Sequence, residues 1–168
     1  MRVLLVRHGH AGTKRHWDGD DSFRPLDEQG LAESVALARI IAPFTPARIV
    51  SSPFLRCMQS VAPLAAVVGI EVERSQSLVP DAGTAATSLA RSVTAHSAGA
   101  VVLCTHGEVI RAMQTILGRG GLTSFGPDAP REKGSIWVLD RIEGQIVSAE
   151  YLQPPQMYAD PAPADNLG

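Results

Sequence analysis

The chain has 168 residues, 45% of them hydrophobic, and a formal net charge of −2. That length suits one domain with a good core, and the charge argues against a nucleic-acid polymer as partner, which calls for a basic face. Residues 3–6 are too short an apolar run, and too soon followed by charge, for a signal peptide, and no stretch is long enough to span a bilayer.

The two cysteines, Cys57 and Cys104, lie in apolar settings. A reduced, cytoplasmic protein with buried thiols is therefore expected, rather than a catalytic cysteine.

The run Met1-Arg2-Val3-Leu4-Leu5-Val6 is expected as a buried strand of an α/β sheet. It stops at Arg7-His8-Gly9-His10, which places a cation and an imidazole at the carboxyl edge, where open α/β folds bind ligands. Gly9 lets a ligand approach the backbone. A surface turn with exposed polar residues would read the same way. Residues 11–24 are polar and aperiodic, a loop over the strand's mouth. Pro25-Leu26-Asp27 starts a helix with Asp27 as N-cap; Leu31, Val35, Ala38 and Ile41 follow at helical spacing, and Pro43 ends it.

Residues 47–51 form a second strand. Ser52-Pro53 reads as a helix start, with Leu55, Met58, Val61, Ala62 and Ala65 inward and closure near Gly69. A short strand at 70–74, an irregular loop at 75–83 and an alanine-rich helix at 84–97, with Leu89 and Val93 inward, come next. Residues 100–104 are another continuous apolar strand, followed by Thr105-His106-Gly107-Glu108 and a helix over 109–117. After a glycine-rich loop, 135–140 and 145–152 read as a hairpin turned at Glu143-Gly144. The domain spans 1–153, and a Pro/Ala-rich tail, extended or disordered, spans 154–168. Alternating strands and helices predict a largely parallel sheet with helices on both faces.

Three strand-to-helix junctions carry polar residues where their neighbours are apolar: Arg7-His8, the segment 51–56 with Arg56, and His106. In a parallel sheet all three share one edge. Two arginines, two histidines and helix N-termini in one crevice make a pocket for a dianion, with phosphate the obvious candidate. One histidine could attack phosphorus as a neutral imidazole, while the other, charged, could stabilise the moving phosphoryl group. The cations supply the charge, so no metal or other cofactor is required.

Arg7-His8-Gly9 after an amino-terminal strand resembles the signature of the histidine phosphatase (phosphoglycerate mutase-like) superfamily. Residues 25–30 (Pro-Leu-Asp-Glu-Gln-Gly) resemble its helix start, residues 51–60 its "SSPxxRxxQT" segment and Thr105-His106-Gly107 its second histidine motif. Residues 20–26 resemble the "D-x-x-RPL" stretch of short, SixA-like protein-phosphohistidine phosphatases and of phosphatase domains attached to some Nudix hydrolases.

The resemblance implies a phosphoglycerate mutase-like, three-layer α/β/α sandwich, its mostly parallel sheet closed by an antiparallel C-terminal hairpin. It implies a metal-independent phosphatase with His8 as nucleophile and Arg7, Arg56 and His106 holding the phosphoryl group. Arg24 would lie near the leaving group, and Gly9, His10 and Gly107 at the substrate. The substrate would be a phosphorylated small molecule, a nucleotide or a phosphohistidine protein. Many members carry a glutamate proton donor in an "L-x-E" segment; here Ser77-Leu78-Val79-Pro80-Asp81 lacks it. Asp81 is the first choice for the acid and Glu108 the second, against plain readings as a turn residue and a helix-dipole carboxylate. A phosphate-binding module of the same fold, weak in turnover, is the alternative. A metallohydrolase built on His8, His10, His16, Asp20 and His106 matches no standard metal spacing.

Overall fold

The computed structural model describes residues 1–94 and 98–156. Six strands form one sheet: β1 (Arg2–Arg7), β2 (Pro46–Ser51), β3 (Val72–Arg74), β4 (Ala100–Thr105), β5 (Ile136–Ile142) and β6 (Gln145–Leu152). Their order is β3-β2-β4-β1-β5-β6. The first four run parallel; β5 joins β1 antiparallel, and β6 joins β5 antiparallel. The chain thus has the expected mostly parallel sheet and C-terminal hairpin. Its turn places Glu143 at φ 48 and Gly144 at φ 76, left-handed at both central positions, as a tight two-residue hairpin requires.

Four helices cover the sheet: α1 (Glu28–Ile41), α2 (Leu55–Val68), α3 (Gly83–Ser92) and α4 (Gly107–Arg119). Successive strand side chains point to opposite faces, so β1 sends Val3 and Leu5 into one core and Leu4 and Val6 into the other. The first core includes Ala86 and Ala90 of α3 with Ile110 and Met113 of α4. The second includes Leu37 and Ile41 of α1 with Val61 and Leu64 of α2. This is the three-layer α/β/α arrangement.

Several expected details differ. On α1, Leu31 and Val35 are about half exposed, and the buried face instead includes Gly30, Glu33, Ser34 and Leu37. On α2, the buried face is Arg56, Cys57, Ser60, Val61 and Leu64, while Leu55 and Ala62 are exposed. Both shifts have one cause: polar side chains turn inward to build the sheet's carboxyl edge, and the apolar stripe rotates with them. Helix α2 begins at Leu55, two residues after Pro53, and the Ser52 hydroxyl accepts from Phe54 N at 3.4 Å and from His106 Nε2 at 2.9 Å. Helix α3 ends at Ser92; His96 lies outside the described residues. Asp27 caps α1 as expected, its Oδ1 accepting from Gly30 N at 2.9 Å. Most of the tail, 157–168, is likewise outside the described residues. Among the described residues no helix is long and apolar enough to cross a membrane.

Candidate active site

Strand register brings three distant segments together. Arg7 of β1 lies opposite Thr105 of β4, and Ser51 of β2 lies opposite Cys104. The next residues are tied by the same ladder, His8 N donating to Thr105 O at 3.1 Å and Ser52 N to Cys104 O at 2.9 Å. His8, Ser52 and His106 therefore leave the sheet side by side. Burying two imidazoles and a guanidinium there is tolerable only because each finds a partner.

Arg56, 3% exposed, is the hub of the cluster. Its Nε donates to Nε2 of His8 at 3.3 Å, and one terminal nitrogen donates to Nδ1 of His106 at 3.3 Å. The guanidinium sits 4.9 Å from the Phe54 ring centroid. Arginine only donates, so both ring nitrogens facing it are acceptors. In His8 the proton then sits on Nδ1, which donates to Gly9 O at 2.8 Å. In His106 it sits on Nε2, which donates to Ser52 Oγ at 2.9 Å. The charged role expected for the second imidazole is thus not the one it plays toward Arg56: it accepts from a cation. The two rings stand edge to face, centroids 5.3 Å apart.

Burial holds the His8 imidazole well below its ordinary value; the bond to Gly9 O opposes this, and the nearby His106, Arg56 and Arg7 reinforce it. At neutral pH His8 is an uncharged ring whose unprotonated Nε2 accepts from Arg56.

Arg7 donates to the Arg131 carbonyl, and its Nε is buried without a partner. Burial lowers its affinity for the proton, the charge of Glu108 raises it, and Arg131 lowers it; it stays a cation at neutral pH. Its guanidinium lies over Gly107: a Cβ there would fall 2.8 Å from Arg7 Cζ. Glu108 is exposed in the first turn of α4.

The remaining expected residues divide. Asp81 is exposed on a left-handed turn at φ 67 and makes no hydrogen bond or ion pair with this cluster. The carboxylate that does reach it is Asp21, which the sequence reading passed over. Arg56 donates to its Oδ2 at 3.0 Å and to its backbone carbonyl at 2.8 Å. Partial burial pushes the Asp21 carboxyl up, but the hydrogen bond from Arg24 and the Arg56 charge outweigh it and hold it below the usual range. Arg24 braces this loop, bonding Asp21 Oδ1 and the Ala11 carbonyl, rather than reaching the cluster itself. His10 pairs with Glu33 at 2.6 Å and lines a cleft of about 550 Å³ with Gln29, Lys133 and Pro154. Gly9 donates to Ser60 Oγ at 3.0 Å. Cys57, read as a plain buried thiol, places its Sγ 3.6 Å from His106 Nε2. His16 is exposed on the loop, and Asp20 there caps Ser22 N.

A family model described as the histidine phosphatase superfamily (branch 1) matches residues 3–80. The 8-oxo-(d)GTP phosphatase of Mycolicibacterium smegmatis is 34% identical over 157 residues, covering 91% of this chain and 48% of that protein. The chain therefore spans about half the length of this curated relative. The structure of the protein histidine phosphatase SixA with tungstate superposes with a TM-score of 0.70 at 20% identity, over 91% of this chain and 95% of that one. SixA from Agrobacterium tumefaciens gives 0.68 at 23% identity, over 92% and 98%. A mycobacterial glucosyl-3-phosphoglycerate phosphatase gives 0.67 at 18%, over 83% and 92%. At such identities these structures share the fold.

Proposed function

This chain belongs to the histidine phosphatase superfamily, and on that footing we propose that it hydrolyses phosphate monoesters or phosphohistidine through a phosphoryl group carried on His8. The observation that carries this reading is the Arg56 guanidinium donating to His8 and His106 at once. One cation thereby places the lone pair of a neutral imidazole beside a positively charged cradle completed by Arg7, whose buried Nε lacks a partner.

In the first step His8 Nε2 attacks phosphorus, the N–P bond forms, and the bond to the leaving group breaks. His8 Nδ1–H stays on the Gly9 carbonyl and spreads the positive charge the ring acquires. In the second step water attacks the phosphohistidine, the N–P bond breaks, and phosphate leaves. Arg7 and Arg56 hold the phosphoryl oxygens as charge moves among them, while His106 positions Arg56 through its Nδ1.

Asp21 is our choice for the proton-handling group. It is ionised while Arg56 holds it. A phosphoryl dianion competes for Arg56 and adds negative charge beside the carboxylate, and both changes raise its affinity for a proton. So protonated, it gives that proton to the leaving group as the bond to phosphorus breaks, and the carboxylate left behind takes a proton from the attacking water in the second step.

The substrate is a phosphorylated small molecule, a nucleotide or a phosphohistidine protein. The relative's name as an 8-oxo-(d)GTP phosphatase favours testing nucleotides first. The test is to quench the enzyme during turnover of a ³²P-labelled substrate. An acid-labile, alkali-stable label on His8 that disappears in His8→Ala, together with activity, is expected. Full activity in His8→Ala removes the assignment. Label retained without turnover favours the binding module.

A further inference from the structure

Glu33 is a buried carboxylate that no step above uses. It is 2% exposed, on the inward face of α1. Among the described residues neither lysine nor arginine pairs with it. Its Oε2 accepts from the backbone N–H of His10 at 2.9 Å, and its Oε1 accepts from His10 Nδ1 at 2.6 Å and Gln29 Nε2 at 3.0 Å. A carboxylate so buried is tolerated only where its hydrogen-bond partners are good, so these three contacts are what hold it there.

The two halves of one peptide explain what it holds. The Gly9–His10 peptide presents its C=O to His8 Nδ1 at 2.8 Å and its N–H to Glu33 Oε2 at 2.9 Å. A peptide is planar and rigid, so gripping its N–H fixes where its C=O points. That carbonyl in turn fixes which nitrogen of His8 carries the proton and aims Nε2 at the phosphoryl site. A carboxylate on the N–H also polarises the peptide and strengthens its carbonyl as an acceptor. The packing is correspondingly close: a Cβ on Gly9 would lie 2.9 Å from Glu33 Oε2 and 3.3 Å from the Gly30 backbone. The third contact of this turn, Gly9 N to Ser60 Oγ, ties it to α2, since Ser60 Oγ donates onward to the Arg56 carbonyl at 2.7 Å.

We propose that Glu33 is a positioning residue that sets the tautomer and aim of His8 through the Gly9–His10 peptide. The proposal rests on His8 being the nucleophile, but its first readout is independent of activity. In the free, ¹⁵N-histidine-labelled enzyme above pH 7, His8 is expected as a single species protonated on Nδ1. In Glu33→Ala it becomes a mixture of both tautomers.

In steady state with p-nitrophenyl phosphate, Glu33→Ala is expected to lower kcat about 10- to 100-fold, the scale for a reacting group displaced by about 1 Å, while KM moves less than about threefold. Glu33→Gln keeps an oxygen for the His10 N–H and is expected to restore most of kcat and the single tautomer. Should Glu33→Ala not fold, Glu33→Asp serves in its place, since it keeps the charge but withdraws the oxygens by one methylene. Three results would overturn the proposal. They are a folded Ala or Asp variant with unchanged kcat, a loss confined to KM, and a loss of kcat with His8 still wholly Nδ1-protonated. Failure of the phosphoenzyme test with the tautomer result intact would sink the catalytic assignment of His8 and leave the positioning relation standing.

Discussion

Nε of Arg56 donates to Nε2 of His8 across 3.3 Å, although 48 residues separate them in the chain. A guanidinium never accepts, so this contact reports the unprotonated state of the nitrogen that would attack phosphorus. Protonating that nitrogen would set two cations face to face in a buried site.

The pH behaviour follows. The His8 imidazole is held well below its ordinary value of 6.5, first by burial and then by the neighbouring His106, Arg56 and Arg7. A ¹H–¹⁵N titration of His8 is expected to show an uncharged ring through pH 6.5, with its midpoint lower. The linkage sign is that of a depressed base. As pH falls below 6.5, the unfolded chain takes up a proton that the folded one refuses, so this group's contribution to stability is full above that pH and declines below it. A His8 midpoint at or above 6.5 contradicts the account.

Asp21 and Asp81 can be separated by leaving-group dependence. Asp21 touches Arg56 with its carboxylate and its carbonyl, whereas Asp81 bonds to nothing in the cluster. Asp21→Asn is expected to slow an alkyl phosphate by about 100-fold or more and p-nitrophenyl phosphate by far less, since a good leaving group needs little help from a proton. Asp81→Asn is expected to stay within about twofold for both, a surface change of little consequence. The reverse pattern would return the acid role to Asp81.

Gly107→Ala separates the site from the fold. An added methyl meets Arg7 Cζ at 2.8 Å and Arg7 Nε at 2.9 Å, so the guanidinium must shift. In the first turn of a helix, alanine otherwise costs nothing and gains a few tenths of a kcal/mol up to about 1 kcal/mol in propensity. The melting temperature should hold or rise while kcat/KM falls about tenfold. A fall in both by comparable free energies would mean that Gly107 serves packing rather than Arg7.

Much of this protein is legible in its sequence because the governing interactions are local. The apolar runs of β1 and β4 are strands buried on both faces, Asp27 sits three residues before the N–H it caps, and Glu143-Gly144 suits a left-handed turn. The junction residues Arg7, His8, Arg56 and His106 follow from the same reasoning: parallel strands end at one edge, so polar residues just past those ends must meet. What hydrophobic periodicity misjudged were the inward faces of α1 and α2, where Glu33 and Ser60 occupy buried positions. No local pattern distinguishes them from solvated polar residues; only partners 23 and 51 positions away, His10 for Glu33 and Gly9 for Ser60, make their burial affordable.

Composition and order along the chain therefore determined the sheet, its layers and the identity of the cationic rim. Tertiary structure alone decided which nitrogen of each imidazole carries the proton, which carboxylate stands beside Arg56, and which one grips the turn after His8. Those choices depend on distances of about 3 Å between groups remote in sequence, and a hydrogen bond is made or lost within a fraction of that length.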